Sequence, residues 1–312
     1  MNLVEEGTRF SFGGHEKFVF RHSWLKKGVD AAAADPVIFT RDDAIVTLGV
    51  GKNMVRSIRF WCMATDLLEE SPDTKGQTRP LQPSGLAVQL LAENGWDPFL
   101  EDAGTLWLLH WQLISNITRS LVWHITFSTF LVAEFTKKQL MDYVQKQLDH
   151  LGIKTTPAMI EREVDCCLRT YVPARAKLGA ITEESMDCPL AELDLLRFMA
   201  DDAVYRFNVG PKTSLPVAIF GYALASYFEK IATNRRTVAV DECIYQPGSP
   251  GQAFKLDENS VVEYLELLEE RYPDKFSLRD TAGLRQVYLQ DSLSSKSFGF
   301  ELLKNYYERN EK

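Results

Sequence analysis

Residues 40–67 read TRDDAIVTLGVGKNMVRSIRFWCMATDL, and the punctuation of this stretch decides the fold. Threonine caps helices through its side-chain oxygen, and Asp42 and Asp43 suit a first turn, where the helix dipole favours negative charge. The sequence therefore predicts a helix from Arg41 that carries Ala44, Ile45 and Leu48 and stops at Gly49. Gly49-Val50-Gly51 predicts a tight turn. A second helix is predicted from Lys52 to Leu68, because Val55, Ile58, Trp61, Cys62 and Thr65 recur at helical spacing. Its other stripe carries Lys52, Arg56 and Arg59, joined by Asn53 and Ser57.

A polar stretch from Glu69 to Pro83 follows and brings Lys75 and Arg79. Helix, turn, helix and basic loop is the layout of a winged helix-turn-helix, whose second helix meets base edges through its N-terminal residues. Arg and Asn make bidentate base contacts, and basic loop residues reach phosphates. The expected DNA-binding set is Lys52, Asn53, Arg56, Ser57, Arg59, Lys75 and Arg79, with Lys26 and Lys27 from the preceding segment. A helical hairpin with a solvated basic face, or a protein-docking winged helix, shares the same pattern.

Upstream, residues 9–28 mix aromatics, glycines and basic residues and predict a short helix ending at Gly28, or a longer one over Trp24–Ala34 with Gly28 inside. Downstream, Ser84 caps a helix over Gly85–Ala92, and two apolar helices are expected at about 105–115 and 117–133. Thr136 and Thr156-Pro157 open the next pair, running to Gly152 and about Tyr171. Helices are expected over 190–200, 216–232, 258–271 and 298–309. Strands are expected at 203–209, 237–244 and 254–256, with a strand or turn over 276–289. The fold class is mainly α with a minor α+β component. The expected domains are 1–95 (winged helix), 96–175 (helical) and 176–312 (α+β).

The 312 residues bury real cores, and 45% hydrophobic with 25% charged residues is ordinary for a globular protein. A net charge of −8 excludes coating nucleic acid by charge alone, but leaves room for a local basic patch. The five cysteines (Cys62, Cys166, Cys167, Cys188 and Cys243) make neither a disulfide framework nor a zinc pattern, which points to reduced thiols and a cytoplasmic setting. The polar start has no signal core, and the apolar region 105–135 is interrupted by polar residues, so no membrane span is expected.

His15 and Glu16 suit a metal or acid–base role, against the plainer alternative that Glu16 pairs with Arg21. The loop at 247–251 (PGSPG) reads as two turns and has no Gly-Lys-Ser/Thr continuation. Asp241 and Glu242 are adjacent carboxylates that, on a strand, face opposite ways. Asp280 with Thr281 and Arg285 suits either a turn or a phosphate contact. Cys166-Cys167 reads as packing inside a helix, and His110 and His124, among Trp107, Trp111 and Trp123, read as satisfied core histidines. No nuclease signature is present.

FGGHEKFVFRHSWLKKG (12–28), LGVGKNMVRSIRFWCMA (48–64), GTLWLLHW (104–111), YRFNVGPKTSLP (205–216), PGSPGQAFKLD (247–257) and DTAGLRQVYL (280–289) resemble the signatures of an uncharacterised-domain family of bacterial DNA phosphorothioation operons, that of the SspB-like DNA-nicking components. The likeness spans about Arg9 to Leu289. It implies an antiviral-defence component that binds duplex DNA and nicks one strand. It implies as partners a cysteine desulfurase, a PAPS-reductase-like protein and an ATPase. It assigns no catalytic residue. Nicking needs charge neutralisation at the transferring phosphate, typically by Mg²⁺ or Mn²⁺ on carboxylates, and Asp241, Glu242, Glu16 and Asp280 are the candidates. A DNA-recognition or regulatory subunit that recruits the sulfur-transfer machinery is the alternative, and a homodimer is left open. The helical pair over 137–171 is expected to stay off DNA, because Glu161, Glu163 and Asp165 mark its exposed face.

Overall fold

The computed structural model describes residues 8–72, 79–173, 188–231, 237–281, 284–289 and 295–309. The chain divides into two compact units, one of residues 1–126 with 134–206, the other of 127–133 with 207–312. Helices dominate both, with three small sheets among the described residues.

The first unit opens with α1 (His22–Ala34), a 3₁₀ turn at Ile38–Thr40, α2 (Ala44–Leu48) and α3 (Lys52–Ala64). The hairpin β1 (Leu68–Glu70) and β2 (Leu81–Pro83) follows, antiparallel with Glu69 opposite Gln82. Leu81 also donates its backbone N–H to Pro36. α4 (Gly85–Leu91) is capped by Ser84, whose hydroxyl oxygen accepts from the Ala87 N–H. α5 (Ala103–Ser115), α6 (Leu121–His124), α7 (Lys137–His150) and α8 (Pro157–Tyr171) complete its helices. β3 (Glu134–Phe135), β5 (Val204–Phe207) and β4 (Leu196–Met199) form a sheet in that order. Trp61, Trp107, Trp111, Trp123 and Tyr171 are all but inaccessible to solvent and form its aromatic core.

Several sequence expectations need correction here. Of the two lengths expected for α1, the longer holds and the one ending at Gly28 does not: the helix passes through Gly28, where a Cβ would lie 2.6 Å from Cys62 Sγ and 2.7 Å from Ile58 on α3. Glycine serves close helix packing at that position, not termination. α2 starts three residues after Arg41: the Thr40 hydroxyl donates to Val37 instead of capping, and Arg41 pairs with Asp35 and Asp43. α3 stops at Ala64, and Leu68 opens the hairpin. The helix expected at 117–133 is broken. The Ser120 hydroxyl donates to the Leu113 and Asn116 carbonyls, which tightens the α5–α6 turn, and a π-turn occupies Ile125–Thr129. In place of a helix at 190–200, a 3₁₀ turn at Pro189–Leu193 ends at Asp194 in the left-handed region, and β4 follows.

The second unit holds α9 (Val217–Ile231), α10 (Val240–Tyr245), α11 (Pro250–Ala253), α12 (Glu258–Arg271) and α13 (Ser295–Arg309). Its sheet runs β6 (Thr237–Ala239), β8 (Leu284–Leu289), β7 (Phe276–Thr281), all antiparallel. The strand expected over 237–244 ends at Ala239, because the Glu242 carboxylate accepts from the Ala239 N–H and starts α10. The strand expected at 254–256 is absent. Ser249 caps α11 and Pro250 fills its first turn. Phe127, Phe130, Phe220, Phe254 and Phe276 are its large buried side chains.

Candidate nucleic-acid interface

Gly49, at φ +61, ends α2 in the left-handed conformation that glycine adopts without strain. The turn aims the N-terminal end of α3 outwards. Lys52, Asn53 and Arg56 are exposed, whereas Ser57, Ile58 and every residue from Phe60 to Ala64 are buried. Arg59 is half-buried. A cleft of about 1230 Å³ runs along α2 and α3, lined among others by Arg41, Ile45, Lys52, Asn53 and Arg56. Ser57 does not reach it, because its hydroxyl donates to the His15 carbonyl at 2.9 Å.

His15 and Glu16 sit in a turn that ties α3 to α8. Glu16 and Lys17 both take positive φ (49° and 69°), a conformation costly for side-chain-bearing residues. Both neighbouring helices hold the turn in place. His15 is fully buried; Lys17 donates its N–H to Nδ1 (3.1 Å), which leaves Nε2 to donate to Glu163 (3.2 Å). Glu163 also accepts from the Gly13 N–H and is itself buried, so it does not belong to an exposed acidic face. Glu16 pairs with Arg162 (3.0 Å) and Arg56 (3.5 Å), not Arg21, which lies over the Trp24 ring. Glu161 and Asp165 share Lys137, at 2.9 and 2.7 Å.

The remaining basic candidates divide. Lys26 pairs with Asp30 and donates to the Leu91 carbonyl, and Lys27 donates to the Leu48 carbonyl at the end of α2. Lys26 thus ties α1 to α4, and Lys27 ties α1 to α2. Lys75 lies outside the described residues. Arg79 is exposed beside Glu70 across the hairpin, at 3.0 Å. Glu70 also takes Arg119 from the α5–α6 turn at 3.5 Å. Arg119 escapes a sequence reading, because 49 residues separate it from Glu70.

The four carboxylates belong to different units. Glu16 belongs to the first unit; Asp241, Glu242 and Asp280 belong to the second. Glu242 is engaged as the cap of α10, Asp241 is exposed, and Asp280 stands opposite Arg285 in the β7–β8 register. Among the described residues no three His, Cys, Asp or Glu side chains converge to hold a metal ion. His110 meets the Tyr171 hydroxyl (2.7 Å) and His124 the Ile114 carbonyl (3.0 Å), as satisfied core histidines do. All five cysteines are buried, and burial holds the Cys243 thiol up at about 12.

Two further sequence signatures meet in the second unit, where Gly210 donates its N–H to the Lys255 carbonyl at 3.0 Å. Each brings one buried lysine. Lys212 donates to the Asn208 and Gly210 carbonyls, and Lys255 to the Phe127 carbonyl. Among the described residues no helix is long and apolar enough to cross a membrane.

Two solved structures are similar to the chain. The one described as the SspB crystal structure is 32% identical, with a TM-score of 0.86, and the match covers 96% of this chain and 88% of that one. The magnesium ion-bound SspB crystal structure is 31% identical, with the same coverage and TM-score. No curated protein matches the chain. The model of the family described as "Protein of unknown function (DUF4007)" matches residues 12–307. With nearly its whole length inside that match, the chain belongs to the DUF4007 family.

Proposed function

We propose that this chain binds duplex DNA through a winged helix-turn-helix built from α1–α3 and the β1–β2 hairpin, as a component of a bacterial DNA phosphorothioation defence system. The observation that carries the reading is the exposure of α3. Solvent reaches its first turns, which bear Lys52, Asn53 and Arg56, while nearly all the rest is enclosed. A recognition helix meets bases through that end. The phosphorothioation setting rests on similarity to SspB, and with it the partners: a cysteine desulfurase, a PAPS-reductase-like protein and an ATPase.

Nicking of one strand is the activity that the family resemblance attaches to the chain, and the magnesium-bound neighbour suggests the ion. Asp241, Glu242 and Asp280 fit such an ion poorly, because one caps a helix and another faces an arginine. No step is assigned to them. Those engagements favour the second reading, recognition without cleavage.

A supercoiled-plasmid assay with the purified chain, with and without Mg²⁺ or Mn²⁺, separates the two. Metal-dependent open circles establish a nickase; their persistence in Asp241→Ala/Glu242→Ala places the site elsewhere. A gel shift without conversion leaves a recognition subunit. Absence of both overturns the reading.

A further inference from the structure

Arg79 and Arg119 come from the approach to β2 and the α5–α6 turn, yet they share one carboxylate, and Arg59 of α3 lies near enough to feel the charge of both Arg119 and Glu70. Arg79 Nη1 donates to Glu70 at 3.0 and 3.3 Å, and Arg119 Nη2 at 3.5 Å. Arg59 makes no hydrogen bond among the described residues. Burial and the like charge of Arg119 hold its affinity for a proton below the ordinary arginine value, with Glu70 acting against them. Among the described residues the other carboxylates beside the hairpin accept from neutral amides, Glu69 from Gln82 at 2.8 Å and Asp66 from Asn116 at 2.7 Å. Among the described residues Glu70 is the one carboxylate that pairs with these arginines, and it takes two of them. A guanidinium fork matches the oxygens of a phosphodiester, and Arg59 has donors to give.

We infer that Arg59, Arg79 and Arg119 clamp one backbone phosphate of the bound duplex, with Glu70 prepositioning them and competing with the phosphate. The inference rests on the duplex-binding reading proposed above. It adds Arg119, from outside the helix-turn-helix, to the contact surface, and it gives Glu70 an opposing role. A lone scaffold contact lacks that opposition of sign.

The test is fluorescence anisotropy of a labelled duplex with the full chain across a series of KCl concentrations. Arg119→Ala should weaken binding about tenfold, as for loss of one charge-assisted hydrogen bond, and flatten the salt slope by a fraction of one unit, because Arg59 and Arg79 still hold the same phosphate. Arg119→Lys should weaken binding but keep the slope. Glu70→Gln should tighten binding about threefold, by removing a charge of the phosphate's own sign. Unchanged affinity and slope in Arg119→Ala, or equal weakening by Arg119→Ala and Glu70→Gln, overturns the clamp and leaves duplex binding intact. If the unsubstituted chain binds no duplex, the parent reading falls and the clamp with it.

Discussion

Lys255 shows what a single buried charge demands of its surroundings. It is 5% exposed, donates to the Phe127 carbonyl at 2.9 Å, and lies 4.3 Å from the Phe207 ring centroid and 5.6 Å from that of Phe127. Burial lowers its pKa from 10.5 to about 7. The unfolded chain therefore holds this proton between pH 7 and 10.5 while the folded chain releases it, so folding gains stability as pH rises through that window. Below pH 7 both states are charged, and the full burial penalty applies. Relative to Lys255→Met, the wild-type protein should gain up to about 1.4 kcal/mol per pH unit between pH 7 and 10. Below about pH 6 the difference should be flat. Urea unfolding at a series of pH values measures it, and parallel profiles for the two proteins would contradict it. The sequence showed Lys255 only as part of a Pro-Gly turn segment, because lysine is almost always exposed and nothing in its neighbours announces burial. Glu163 misled in the same way: spacing placed it on a charged face, whereas contact with His15 and the Gly13 N–H draws it inside.

At the scale of elements, the close contact of α1 with α3 sets how the N-terminal end of α3 is presented. Gly28 allows it, and a methyl group there meets Cys62 and Ile58 well inside contact distance. Gly28→Ala should cost about 1–3 kcal/mol, the range for overpacking a core, even though alanine favours helix. It should also reduce DNA affinity by displacing α3. Thermal unfolding with a gel shift checks both, and a stabilised variant would show that α1 moves aside freely. The long amphipathic helices were legible in the sequence because their caps and spacing agree: Thr136 and Thr156-Pro157 open α7 and α8 with side-chain oxygens on backbone N–H groups. The short elements were not. α10, α11 and the broken region after α5 are decided by single side-chain bonds from Glu242, Ser249 and Ser120. Hydrophobic periodicity does not register such bonds. The exposed part of the candidate interface was likewise legible as a stripe. The burial of Ser57 and the arrival of Arg119 depend on which other segments pack against α3 and the hairpin, and no local pattern carries that.

At the scale of the whole molecule, the proposed function asks an acidic chain to bind a polyanion through a confined basic surface. That contrast makes the expected binding strongly dependent on salt, since attraction comes from a few released counter-ions while the body repels. It also makes the contribution of each cation separable. The most direct measurement is the salt dependence of duplex affinity for the wild-type chain beside Arg56→Ala/Arg59→Ala, both shown to be folded. The account predicts weaker binding by the double variant and a slope of log affinity against log salt shallower by about one unit, roughly 0.9 for a phosphate left without a cation, since Arg79 and Arg119 still hold the one that Arg59 shares. Binding of equal strength and equal slope would contradict it, and would mark the helix-turn-helix as a scaffold or a protein-docking surface.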